Sequence, residues 1–167
     1  MDAKKMLEAY AAENGVTLSF DENGACTLPL ADDRVLHLQF RENDEELDFL
    51  ALLGTVPEEA RAVVFEKLLA ANYYWKETVG ATLSWQAELE QVVLTYPIRP
   101  ASVDEATLRG TLDRFVALQE EWAGRLQGMI EKADILEKAA DADMEMSDLV
   151  EALGEAEKVE DEVRIDA

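Results

Sequence analysis

The apolar positions at the start of the chain repeat first with the period of a helix and then with the period of strands. Ala3, Leu7 and Tyr10 fall on one helical stripe, and Asp2 and Gly15 are suited to the two ends of that helix. Apolar and polar residues then alternate in residues 16–20, 26–30 and 36–40. Turn-forming residues separate these segments, so the pattern predicts a hairpin followed by a further strand.

The next two segments carry more apolar residues than one buried face requires. Residues 47–53 are apolar at nearly every position, which indicates a strand covered on both faces or one that reserves a face for a partner. A second helix is predicted from Pro57 to about Tyr74. Its two apolar rows are Ala60, Val64, Leu68 and Ala71, and Phe65, Leu69 and Tyr73. So wide an apolar arc is typical of a helix buried on two sides, and in a small domain the second side is often a subunit interface.

The last part of the pattern predicts two more strands and a long helix. The strands cover residues 81–88 and 91–98, and Ser102-Val103-Asp104-Glu105 forms a capping box that begins the helix. The apolar stripe of that helix is Leu108, Leu112, Phe115, Gln119, Trp122, Leu126, Met129, Ala133 and Leu136, with Gln119 as its polar member. Three or four strands are thus predicted before the second helix, and the predicted fold is α+β, in the order α-β-β-β-α-β-β-α, with a twisted antiparallel sheet flanked by helices.

The charge of the chain divides it into two parts. The net charge is −22 over 167 residues, and residues 134–167 contribute 13 acidic and 3 basic residues. We therefore expect an α+β domain over residues 1–133 and an acidic extension over residues 134–167, helical or mobile. Such a charge repels nucleic acids and anionic membranes, so neither is an expected partner. The N-terminus leads into an amphipathic helix rather than a signal segment, which favours a cytoplasmic protein.

The usual residues of catalytic and metal sites are missing from the sequence. His37 is the only histidine, Cys26 is the only cysteine, and there is no glycine-rich phosphate loop. Asp141, Asp143 and Glu145 have the spacing of a calcium loop, but its glycine position falls on Met146 and its last glutamate position falls on Ala152. We therefore expect no catalytic residue, no metal, no cofactor and no enzyme activity.

A recognisable combination of motifs extends from Leu68 to Trp122. The segment Leu68-Leu69-Ala70-Ala71-Asn72 ends the second helix, and Thr78-Val79-Gly80-Ala81-Thr82-Leu83 leads into the next strand. The strand pair ends in Tyr96-Pro97, and the last helix carries Leu108, Leu112, Phe115, Val116 and Trp122. With the leucine-rich strands that precede them, these motifs make residues 1–130 similar to the class I type III secretion chaperones, the Tir chaperone family.

The resemblance implies a homodimeric chaperone that binds the N-terminal region of a secreted effector as an extended chain. It also implies backbone pairing at a sheet edge, apolar pockets for effector side chains, and the secretion-system ATPase as a partner. We predict client contacts at Leu7, Tyr10, Leu28, Leu36, Leu38, Phe40, Leu50 and Leu52. We predict a dimer interface at Val64, Phe65, Leu68, Leu69, Leu83 and Trp85.

Other functions remain open at the level of sequence. The main alternative is a general interaction or regulatory protein on the same fold, without a role in secretion. An acidic inhibitor that mimics nucleic acid is a further alternative, although the two apolar rows of the second helix argue against it. A hydrolase is the most remote, because no nucleophile motif supports it.

Overall fold

The computed structural model describes residues 2–31, 33–41 and 45–142, together with residues 148, 150, 151, 153 and 154. The main elements in chain order are α1 (Ala3–Glu13), β1 (Ala25–Pro29), β2 (Val35–Arg41), β3 (Glu46–Thr55), α2 (Arg61–Ala71), β4 (Thr82–Gln86), β5 (Gln91–Ile98) and α3 (Glu105–Ala142). The strands form an antiparallel sheet in the order β1-β2-β3-β5-β4. The predicted α+β fold and its element order are confirmed.

The first helix begins and ends as its flanking residues predict. The Asp2 side chain accepts a 3.2 Å hydrogen bond from the backbone N–H of Lys5, which satisfies one of the free donors at the helix start. Beyond the helix, Gly15 adopts a φ of 74°, a conformation that costs glycine little. The short polar motifs at both ends therefore fix the boundaries of α1.

Residues 16–20 differ from the sequence prediction because they are not part of the sheet. The side chain of Asp21 accepts hydrogen bonds from the backbone N–H groups of Asn23 and Ala25 at 2.9 and 2.8 Å, and β1 begins only at Ala25. Leu18 is buried, and the ring of Phe20 packs edge-on against Phe40 at 5.3 Å. The alternation in this segment thus reflects burial of its apolar side chains without strand pairing.

The helices α1, α2 and α3 pack on the same face of the sheet. Lys4 of α1 lies 5.1 Å from the ring centre of Phe40 in β2, and Phe115 of α3 packs edge-on against Phe49 in β3 at 5.6 Å. Phe65 of α2 lies 5.1 Å from Trp85 in β4. The strand register places these three strand residues on one side of the sheet, which is therefore its helix-covered face.

The two long helix predictions need small corrections at their starts. A 3-10 turn, Glu58–Ala60, precedes α2. The cap of α3 is Asp104, whose side chain accepts a 2.8 Å hydrogen bond from the backbone N–H of Thr107. Since the first helical residue of α3 is Glu105, the cap lies two residues after the predicted Ser102.

The last helix passes through residue 133 without a break. Its buried stripe runs from Leu108 to Ala133, while Leu136 is 42% exposed. Gln119 is buried on the same stripe and donates a 3.2 Å hydrogen bond to the carbonyl of Val35. The division at residues 133/134 thus rests on composition and stays a prediction. In the predicted extension, Met144, Met146 and Leu149 lie outside the described residues. No helix among the described residues has the length and apolarity needed to span a membrane.

Candidate functional site

The described residues leave one face of the sheet without a covering helix, and we call it the open face. Antiparallel pairing aligns Thr27 with His37 and His37 with Leu50 across β1, β2 and β3. Gln39, Leu52 and Thr95 point to the same side by strand alternation. The open face contains a groove of about 580 Å³ that is bordered at one end by Leu89 of the β4–β5 turn.

The lining of this groove is apolar or neutral for the most part, although the chain is strongly acidic. Leu50, Leu52 and Leu89 provide apolar surface. The hydroxyl of Thr27 lies 3.3 Å from Nδ1 of His37, and this pair adds polar groups to the lining. Two carboxylates also line the groove. That of Asp21 accepts backbone hydrogen bonds, and that of Asp48 is paired with Arg41.

Cys26 borders the groove but is not a reactive thiol at neutral pH. Burial, with a smaller effect of the Asp21 carboxylate, raises the pKa of Cys26 from 9.0 to about 12. The thiolate is the nucleophilic form of cysteine. At neutral pH, only a negligible fraction of the molecules carries Cys26 as the thiolate. Cys26 therefore contributes a partly buried, uncharged side chain to the border of the groove.

The residues predicted to contact a client lie in two groups on opposite faces of the sheet. Leu50 and Leu52 lie in the groove of the open face. Leu7, Leu28, Leu36, Leu38 and Phe40 are buried in the core on the helix-covered face, and Leu38 also borders the groove. Tyr10 is partly buried between α1 and α3, where it donates a hydrogen bond to Asp113. Of the eight predicted client contacts, three therefore border the groove, and of these Leu50 and Leu52 lie on the open face.

Leu89 belongs to the groove, although the sequence did not single it out. It is 54% exposed in the turn between β4 and β5. A single leucine in a turn that is otherwise made of alanine and glutamate was the available signal. At this position the side chain of Leu89 adds apolar surface to the groove.

A second exposed apolar surface extends from α2 into the loop before β4. Leu69 is 71% exposed, Tyr73 is 69% exposed and Tyr74 is 72% exposed. Trp75 and Val79 of the same loop are also exposed. We call these five residues the aromatic patch. Single exposed apolar residues are ordinary, but five within one short stretch of chain indicate a candidate interaction site.

The loop that carries the aromatic patch has an unusual backbone. The backbone φ values of Tyr74, Trp75 and Val79 are 55°, 52° and 50°. They lie in the left-handed region, which residues other than glycine rarely adopt. Such conformations persist where the surrounding structure holds them in place. Here the indole N–H of Trp75 donates a 3.3 Å hydrogen bond to the hydroxyl of Thr82, and the rings of Tyr73 and Tyr74 pack edge-on at 4.7 Å.

The predicted interface residues lie beneath and beside the aromatic patch. Val64 and Leu68 of α2 and Leu83 of β4 are buried in the core between this helix and the sheet. Phe65 and Trp85 are partly buried against each other, with the Arg61 guanidinium 5.0 Å from the Trp85 ring centre. Leu69 is the one predicted residue that is largely exposed. Tyr74, Trp75 and Val79 were missed, because their exposure depends on the loop backbone.

Comparison with known proteins identifies the family. The described residues form an α+β domain whose sheet has one face without a covering helix. The chain belongs to the Tir chaperone protein (CesT) family, which residues 5–123 match, and the resemblance seen in the sequence is thereby confirmed. The match includes the groove, the aromatic patch and the first half of α3. The rest of α3 and the acidic extension lie beyond it.

Individual relatives agree with this assignment. The Chlamydia pneumoniae protein CPj0713/CpB0740 is 25% identical over 127 residues, which are 74% of this chain and 95% of that protein. The structure of the ExoU–SpcU complex from the type III secretion system of Pseudomonas aeruginosa has a chain that matches with a TM-score of 0.59 and 22% identity, covering 75% of this chain and 98% of that one. A chain of the ExsC–ExsE complex matches with a TM-score of 0.59 and 21% identity. The match covers 72% of this chain and 90% of that one. At these identities the two structures show a shared fold.

Proposed function

We propose that the protein is a chaperone of type III secretion that binds the N-terminal region of a secreted effector. It holds this region extended and unfolded, keeps it soluble in the cytoplasm, and catalyses no reaction. The observation that carries the proposal is the groove on the open face, which is largely apolar and has only two carboxylates in its lining, in a chain of net charge −22. The solved HopA1–SchA chaperone–effector complex shares the fold and supports the same function.

The energetics of binding an unfolded segment require more than one contact site. Ordering the backbone of an extended residue costs about 1–2 kcal/mol, and burying a leucine-sized side chain yields about 1.5–3 kcal/mol. Leu50, Leu52 and Leu89 can therefore offset the ordering of a short segment only. A second groove on a second subunit would add a further site on the same effector chain, and binding at linked sites is much tighter than at either alone.

A homodimer formed through the aromatic patch would supply that second groove. Two chains of charge −22 repel each other unless they meet at a surface of low charge. Residues 61–85 contain three basic and two acidic residues, so this region is close to neutral. The exposed Leu69 and the tyrosines beside it provide the apolar surface. Val64, Leu68 and Leu83 would support it from beneath by holding α2 in place.

Pairwise co-expression tests the function directly. The full chain, carrying an affinity tag, is produced with the N-terminal segment of each effector of its own bacterium, one effector at a time. We expect at least one segment to remain soluble and to purify with the chain. The double variant L50D/L52D should lose the segment while keeping its thermal unfolding transition, because both side chains lie on the open face.

The matched control is L136D, which places the same charge on an exposed leucine of α3, away from the groove. It should retain the effector segment. If no effector segment is retained by the unaltered chain, the chaperone function is wrong. If a segment is retained equally by L50D/L52D, the function stands and the groove is not its site.

A further inference from the structure

The loop that joins α2 to β4 is held to the sheet at both of its ends. We call residues 72–81 the patch loop, since it carries four of the five residues of the aromatic patch. At its start, the side chain of Asn72 exchanges two hydrogen bonds with the backbone of Leu83, at 2.8 and 2.9 Å. At its end, a Cβ atom added to Gly80 would lie 3.1 Å from the ring of Tyr96 in β5. These contacts fix where the loop leaves α2 and where it enters β4.

The middle of the patch loop is strained and incompletely packed. Tyr74 and Trp75 have left-handed backbone, and the same conformation is costlier at Val79, whose branched side chain crowds the backbone. The hydroxyl of Thr78 is buried without a hydrogen-bond partner among the described residues. Val79 and Phe115 of α3 line a small cleft of about 10 Å³. The conformation that exposes the aromatic patch therefore needs a contact that offsets these costs.

An ion pair with the last helix supplies such a contact. Glu77, in the middle of the patch loop, accepts a hydrogen bond from the guanidinium of Arg125 in α3. Arg125 is only 8% exposed, and a hydrogen bond between ionised groups is among the stronger ones in proteins. A charge buried so deeply is costly when it lacks partners. Arg125 therefore favours the position of the loop in which Glu77 reaches it.

Arg125 is fixed by its own helix, independently of the patch loop. Its guanidinium lies 3.8 Å from the ring centre of Trp122, a fully buried residue of α3. Such a contact between a cation and an indole face is favourable and orients the planar guanidinium. Nη1 lies 3.5 Å from a carboxylate oxygen of Glu121 in the same helix, and Nη2 bonds to Glu77. The helix thus presents a preorganised donor to the loop.

We propose that Arg125 is a positioning residue for dimerisation, because its ion pair with Glu77 holds the patch loop in the conformation that presents the aromatic patch to a second copy. This inference rests on the proposed homodimer. Arg125 lies just beyond residues 5–123, which match the family, so a part of α3 outside the match shapes the interface within it. In a symmetric dimer each copy brings its own patch loop. The affinity then depends on the fraction of both loops that has this conformation.

The first test measures the dimer dissociation constants of full-length variants by sedimentation equilibrium. R125M keeps a long side chain and removes the charge, and E77A removes its partner in the loop. We expect each variant to weaken the dimer at least about tenfold, since both copies lose the contact that holds the loop. The double variant R125M/E77A should be no weaker than R125M, because the same interaction is lost. The matched control E121Q alters the other carboxylate beside Arg125 and should dimerise normally.

A second measurement reports on the loop itself. Incorporated 5-fluorotryptophan labels the three tryptophans of the chain, and the variant W75F identifies the fluorine resonance of Trp75. The spectra are recorded in the L69D background, so that loss of the dimer cannot itself move the signal. There R125M should shift or broaden the Trp75 resonance, and E121Q should not. Circular dichroism shows whether each variant is folded, and E77A, in a surface loop, gives the same comparison if R125M is not.

The outcomes separate this inference from the proposals on which it rests. The inference alone is wrong if the unaltered chain is a dimer and R125M dimerises as tightly, or if the Trp75 resonance of R125M is unchanged. It is also wrong if E121Q weakens the dimer as much as R125M does, since Arg125 would then act within α3 only. A monomeric unaltered chain would overturn the homodimer and this inference with it. The effector co-expression experiment decides the chaperone function independently.

Discussion

The hydroxyl of Tyr10 in α1 donates a 2.8 Å hydrogen bond to Oδ1 of Asp113 in α3. Arg109, one turn before Asp113, lies 5.3 Å from the Tyr10 ring centre and forms an ion pair with Glu13. These contacts join the first helix to the last at the surface, above Leu7 and the other core residues that α1 covers. The position of α1 on the sheet therefore depends on polar contacts as well as on apolar burial.

Replacing Tyr10 by phenylalanine should weaken this connection without opening a cavity. We expect the free energy of unfolding to fall by about 1–2 kcal/mol, because a partly buried hydrogen bond to a carboxylate is lost. Urea unfolding followed by circular dichroism measures the change. The control is Y74F, which alters a tyrosine that is exposed in the aromatic patch. Equal stability of Y10F and the unaltered chain would contradict the prediction.

The same hydrogen bond predicts a pH dependence at high pH. Burial, and then the bond to Asp113, raises the pKa of Tyr10 from 10.0 to about 12. The folded protein therefore holds the phenolic proton more tightly than the unfolded chain does. This contribution to stability is complete below pH 10 and is lost as the pH rises toward 12. The decrease between those values should be smaller in Y10F than in the unaltered chain.

The element order could be predicted because local residues mark the ends of the elements. Asp2 and Gly15 bound α1, and proline and acidic residues precede α2 and α3. The face of the sheet that each leucine occupies could not be predicted. Leu38 and Leu50 have the same parity in the sequence, yet they lie on opposite faces. The reason is that the register pairs Leu38 with Phe49 and His37 with Leu50, and a shift of one residue exchanges the faces.

The candidate site was predictable only in part for the same reason. The sequence predicts that the strand over residues 47–53 has apolar side chains on both faces. The structure has Leu50 and Leu52 of this strand in the groove of the open face. The aromatic patch depends on left-handed backbone at Tyr74 and Trp75. The helical pattern of the sequence gives no sign of this conformation, which is found in the loop that joins α2 to β4.

Cys26 should react slowly with iodoacetamide in the folded protein. Because its pKa is about 12, Cys26 is a thiolate in roughly one molecule in ten thousand at pH 8. The reaction rate should rise about tenfold for each pH unit up to at least pH 11. In urea the rate should level off near the ordinary thiol pKa of 9.0. A native rate that levels off near pH 9 would show that Cys26 is not shielded.

Two exposed leucines allow the interface and the groove to be separated. Leu69 lies in the aromatic patch and is 71% exposed, and Leu89 borders the groove and is 54% exposed. An aspartate at position 69 should convert the proposed dimer to a monomer, because burying a charge in an apolar interface without a partner is costly. An aspartate at position 89 should leave the dimer intact and weaken effector binding.

Light scattering measures the first effect, and titration with the effector segment measures the second. The unaltered chain should have twice the mass of the 18.6 kDa monomer at micromolar concentration. A monomeric mass for the unaltered chain would contradict the dimer. Dissociation of L89D would place Leu89 in the interface rather than the groove.

Removing residues 134–167 should leave the fold, the proposed dimer and the groove in place. The buried stripe of α3 ends at Ala133, and Leu136 beyond it is exposed, so truncation after Ala133 removes little of the core. Ala139 is buried as well, but an alanine contributes little apolar area, and we expect the free energy of unfolding to change by less than about 1 kcal/mol.

Truncation also takes the net charge from −22 to −12, because residues 134–167 carry −10. Reduced repulsion should make the stability of the truncated chain less dependent on salt than that of the full chain. Thermal unfolding of both chains at low and high salt measures the two effects together. A loss of several kcal/mol at both salt concentrations would mean that the extension packs on the domain and that the division at residue 133 is wrong.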